Sequence, residues 1–145
     1  MTEPADNNKR LIYWTAFLSI FALITHVIDA PDHLKEWWLY GTLFVIFAAF
    51  QFFLGIALFL RPWRYDEDGN VRQNPDRAGR PFYFLGILLS VFVVALYIIT
   101  HTTGMPFFGT GAAAISVTPL SLVPVVENIP LVYCFALLVR RTRRL

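Results

Sequence analysis

Apolar residues fill four long stretches of the chain, at 11–28, 37–60, 82–99 and 120–139, while polar residues gather at the ends of these stretches and between them. At a rise of ~1.5 Å per residue, ~20 residues cross the ~30 Å hydrocarbon layer of a bilayer, so each stretch has the length of a membrane span. Unpaired backbone groups are too costly in lipid, and these runs lack the strict alternation of barrel strands, so each is predicted to be a helix. The expected fold is all-α, an integral membrane four-helix bundle forming one domain over residues 1–145, with a cytoplasmic loop at 61–80. Pro124 and Pro130 are expected to bend the fourth helix, because each removes a backbone donor. Lys9-Arg10 ahead of the first run has the form of a signal-peptide start. Pro31 directly follows the one suitable small-residue site at Ala30, however, so the segment is read as a retained helix.

Within the runs, polar residues recur at helical spacing. Thr15, Ser19, Ala22 and His26 share one stripe of the first helix, and Ser90, Val94, Tyr97 and His101 share one of the third. Glu127, Leu131 and Cys134 align on the fourth. If the second helix begins near Pro31, as a proline in a first turn allows, His33, Glu36, Tyr40, Phe44, Phe47 and Gln51 fall on one stripe as well. Polar faces in lipid turn toward the bundle, so a polar interior is expected, richest at one end, where His26, His33, Glu36, His101 and Glu127 can converge.

Charge orients this bundle. The chain is 57% hydrophobic and only 15% charged, well below the roughly one quarter charged residues of a soluble domain. Eleven of its twelve basic residues precede the first run, lie between the second and third, or follow the fourth, leaving only Lys35 on the opposite side. By the positive-inside rule both termini are expected in the cytoplasm. The same rule explains the arginines without nucleic acid, and none is expected as a partner. All three histidines then lie on the outer side. Trp14, Trp37, Trp38 and Trp63 sit near run ends and are read as an interfacial aromatic belt. Asp66-Glu67-Asp68-Gly69-Asn70 lacks the ligand spacing of a calcium loop and is read as a surface turn or short hairpin. The single cysteine, Cys134, excludes an intrachain disulfide and any cysteine metal motif, and reads as a core filler.

Four chemistries fit the outer cluster. Imidazole and carboxylate suit a transition metal, Cu, Zn or Fe, with His26, His33, Glu36, His101 and Glu127 as candidate ligands and Met105 as a soft addition for copper. His26 and His101 can serve as axial ligands of one b-type haem. Histidines, carboxylates and threonines can also simply neutralise one another. Aromatic walls beside a proton donor leave a quinone-type substrate open as well. Gln51 is a further buried polar candidate. No Ser-His-Asp set or Gly-rich phosphate loop is evident. No catalytic residue is therefore assigned, and a non-enzyme is favoured over an enzyme.

The stretch from Thr25-His26 through Pro31-Asp32-His33, Glu36-Trp37-Trp38 and Gly41 to Gln51 resembles a group of small, uncharacterised bacterial four-span membrane proteins. So does the end of the third run, Tyr97 through Thr100-His101-Thr102-Thr103-Gly104-Met105-Pro106. The group has a His…His-x-x-Glu-Trp stretch around the first outer loop, and often Arg at the position of His101, which weakens a haem ligand there. The resemblance leaves out the arginine-rich loop. It implies the four-span topology in a bacterial-type inner (cytoplasmic) membrane and assigns no reaction. The expected partners are the bilayer and either other membrane subunits or further copies of this chain. The favoured role is a small accessory subunit of a larger membrane assembly, a respiratory or photosynthetic redox complex in the first instance. The alternatives are a stand-alone protein binding metal or haem, and an enzyme or carrier for a quinone-type substrate.

Overall fold

The structure is a computed structural model that describes residues 8–36, 38–102 and 122–143, with the side chains of Asp32, His33, Glu36, Tyr40, His101 and Pro124 outside the described set. Among the described residues the chain is helical: α1 (Lys9–Glu36), α2 (Trp38–Leu60), the single turn α3 (Pro75–Ala78), α4 (Arg80–Thr102) and α5 (Val123–Thr142). Three segments, Lys9–Pro31, Gly41–Arg64 and Arg80–Thr100, are long and apolar enough to cross a membrane, with mean hydropathies of 2.0, 2.6 and 2.6. α5 is as long as a span needs to be but carries Glu127, Asn128, Arg140 and Arg141.

The four long helices pack in the cyclic order α1, α2, α4, α5. Gly55 lies on Ala16 and Ile20 while Phe44 stacks on His26 at 4.5 Å, so α2 runs antiparallel to α1. Glu127 meets Thr25 and Arg141 meets Asn8, so α5 is antiparallel to α1 too. Small residues permit this closeness. A Cβ on Gly55 would fall 2.8 Å from Ile20 Cγ1, and one on Gly86 would fall 2.3 Å from Cζ of Phe135. Glycine at these two positions therefore sets how near α1–α2 and α4–α5 can approach.

The apolar core, including Ile12, Leu54, Leu58, Tyr83, Leu131, Phe135 and Leu138, fills the end of the bundle near Arg61. There the links between helices are long-range. Asn8 Nδ2 donates to Asp76 Oδ2 at 2.5 Å, Arg61 Nη2 lies 3.3 Å from Asp76 Oδ1, and Arg141 Nη1 donates to Asn8 Oδ1 at 3.5 Å. One buried carboxylate on α3 thus joins α1, the end of α2 and, through Asn8, α5.

Three details differ from the sequence-based expectation. Pro31 lies inside α1, which runs on to Glu36. His33 and Glu36 therefore belong to α1, and the proposed stripe joining them to Phe44, Phe47 and Gln51 is divided between two helices. Trp63 is no belt residue: it is buried and stacks on Phe82 at 4.5 Å, whereas Trp14 and Trp38 are about two-thirds exposed. Arg61, expected only as a marker of orientation, is buried and adopts a left-handed backbone at φ 52°, a region that non-glycine residues seldom occupy. The acidic turn forms as expected. Tyr65 and Val71 bridge antiparallel, Gly69 takes φ 80°, and Asp66 Oδ1 accepts from the amides of Asp68 and Asn70.

Candidate functional site: a buried histidine–carboxylate layer

The polar stripe of α1 faces inward along its length. Asn8, Thr15, Ser19 and His26 are all buried, and Ala22 between the last two is also closed off. Their spacing of three, four or seven residues keeps them on one side of the helix. α4 presents the matching line Ser90, Val93, Tyr97 and Thr100, all buried. This is one step from the expected line, since Val94 is only half-buried.

At the end of the bundle remote from Arg61, this stripe meets α5. His26 is 0% exposed and Glu127 8%, with His26 Nδ1 3.2 Å from Glu127 Oε1. Thr25 Oγ1 donates to the same carboxylate oxygen at 2.5 Å. The imidazole lies nearly parallel to the Phe44 ring, 17° apart, which fixes its plane. The 3.2 Å separation is an ion-pair distance, but the N–H direction is off-line, so Nδ1 makes no hydrogen bond. At the residue after Glu127, a second contact crosses the bundle diagonal: Gln51 Nε2 on α2 donates to Asn128 Oδ1 at 2.6 Å, both side chains being buried.

This half of the bundle has more polar capacity than partners. Among the described residues, Ser19 Oγ, both nitrogens of His26, Gln51 Oε1 and Glu127 Oε2 are buried without a hydrogen-bond partner. Native interiors rarely leave such groups unmatched.

Of the residues expected at the site, His26 and Glu127 come together, and Gln51 lies deeper in the bundle, bonded to Asn128 next to Glu127. The side chains of His33, Glu36 and His101 lie outside the described residues, as does Met105. Among the described residues no three of His, Cys, Asp and Glu gather to hold a metal. His26 and Glu127 alone supply two donors, against the four protein ligands of a closed zinc site or the three of an open one. For a haem, Nε2 of His26 is the nitrogen left over by the Glu127 contact. Cys134 is half-buried, on α5 beside Thr15, in keeping with a packing role.

Two participants escaped the sequence reading. Asn128 stands next to Glu127 but off its stripe, and its partner is 77 residues distant. Asp76 looked like one more loop carboxylate, yet it is buried between Asn8 and Arg61. Asn8 could have been found, because it lies seven residues, two helical turns, before Thr15 on the same face. The chain matches no protein-family profile, no curated protein and no solved structure.

Proposed function

We propose that the chain is a four-span integral membrane protein of the bacterial inner membrane, with both termini cytoplasmic, acting as a small accessory subunit of a larger membrane assembly such as a redox complex. The observation that carries this reading is the division of its surfaces. Polar side chains of the long helices turn into the bundle, while Phe17 and Phe21 on α1, Phe53 on α2, Leu88 on α4 and Ile129 on α5 are all exposed. Water would not tolerate so continuous an apolar exterior; lipid tails and neighbouring helices match it. In lipid, helices associate through close packing and interhelical hydrogen bonds rather than by expelling water, and the Gly55, Gly86 and Gln51–Asn128 contacts supply both. α5 fits as the fourth span because Glu127 and Asn128 face partners, leaving an apolar outer face of Val126, Ile129 and Tyr133.

The likeness of the His26 to Gln51 stretch to small four-span bacterial proteins supports the same topology. The test is purification of the full chain from native membranes in mild detergent, followed by native mass spectrometry and metal and haem analysis. Co-migration with larger membrane subunits in fixed ratio is the expected result. A lone species carrying stoichiometric metal or haem would overturn the accessory role in favour of a stand-alone cofactor protein.

A further inference from the structure

The unmatched polar atoms are not scattered. The facing pairs Gly55–Ala16 and Phe44–His26 place Gln51 at the height of Ser19. The pairs Glu127–Thr25 and Arg141–Asn8 place Asn128 near Ala22. Moving along the bundle, the buried layers are thus Ser19 with Gln51, then Ala22 with Asn128, then His26 with Glu127 and Thr25. Unpartnered atoms sit in the first layer, at Ser19 Oγ and Gln51 Oε1, and in the last, at His26 Nε2 and Glu127 Oε2. Between them the α1 stripe contributes only the methyl group of Ala22, which is buried.

We propose that this part of the bundle is a binding site for a short file of ordered water, linking Ser19 and Gln51 past Ala22 to His26 and Glu127. Each of these groups has a free donor or acceptor, and an internal water typically joins ~3 such groups. Inward of Ser19 the file meets the apolar core, where Ile12, Leu58 and Leu138 are fully buried and offer nothing to bind, and the Thr15 hydroxyl is already bonded to Leu11 O at 2.7 Å. The site is therefore one-sided, reaching part-way into the bundle from the His26 end and separated by the apolar core from the Asn8–Asp76–Arg61 cluster. This inference is independent of the subunit role, since it concerns the interior of a single chain.

The experiment is magnetisation transfer from water to side chains by nuclear magnetic resonance, on the full chain in lipid nanodiscs. Replacing His33 and His101 by Asn leaves His26 as the only histidine and makes its ring assignable. Transfer to the Gln51 amide and the His26 ring, with none to the backbone amides of Leu58 and Leu138, is expected. Ala22→Leu sets a bulky apolar side chain between the two polar layers and should abolish transfer at Gln51. Ser19→Ala, a milder change that keeps the packing, should weaken it. Absence of transfer at both Gln51 and His26, in a sample where the exposed Asn70 gives it, overturns the proposal. So does full transfer at Gln51 in a folded Ala22→Leu variant.

Discussion

Thr25 and Glu127, 102 residues apart in the chain, meet at 2.5 Å, with the threonine hydroxyl donating to the carboxylate oxygen that also faces His26. Two helices are therefore joined through a single buried atom. Removing the carboxylate takes away the group that His26 faces, while Thr25 Oγ1 keeps its bond to Ala22 O at 3.0 Å, and losing a buried polar partner costs about 1–3 kcal/mol. Glu127→Ala is expected to lower stability by that order, and Glu127→Gln by less, because the amide oxygen still accepts from Thr25. Thermal unfolding in detergent followed by circular dichroism checks both.

Gln51 and Asn128 make a second prediction, of opposite form. Gln51→Leu removes the Gln51 donor from the buried Asn128 Oδ1, at a cost of about 1–3 kcal/mol. Changing both residues to Leu removes the need for a partner, so the double variant should recover most of that loss. A double-mutant cycle from unfolding midpoints measures the coupling; strict additivity would show that the 2.6 Å contact contributes nothing.

What the sequence made readable, and what it did not, follows from the range of each interaction. Thr15, Ser19, Ala22 and His26 were legible as one buried face because the period of a helix is local and a polar residue in an apolar run has few places to point. The hairpin around Gly69 was legible for the same reason. Pro31 was ambiguous: its fixed φ suits a helix start, and the sequence does not reveal that the helix has already been running for twenty residues. Arg61 and Trp63 looked interfacial by position. Their partners, Asp76, Phe82 and Tyr83, reach them only because the chain folds back, and no periodicity encodes that.

Close packing of α4 on α5 gives a third prediction. With the Phe135 ring where a Cβ on Gly86 would stand, Gly86→Ala forces the helices apart and should destabilise by about 1–3 kcal/mol. Adding Phe135→Leu to that variant frees space and should restore part of the loss. Failure of the second change to rescue the first would place the strain elsewhere.

Asp76 supports a fourth. Asp76→Ala removes a carboxylate that takes hydrogen bonds from Asn8 and Arg61 and leaves a buried guanidinium without that counter-charge. Breaking a buried pair is expected to cost about 3–5 kcal/mol, with looser attachment of the 61–80 segment. Limited proteolysis should cut the variant between Arg64 and Arg77 faster than the parent protein.

The hairpin in that same segment has a practical consequence. Its backbone bonds, Asp66 to Asn70, Gly69 to Asp66 and Arg72 to Arg64, all close within the loop, and Gly69 has open space where a side chain would stand. Its tip is mechanically separate from the helices, which makes it the natural place to splice an epitope or a rigid fusion domain for imaging a protein otherwise too small and too smooth to align.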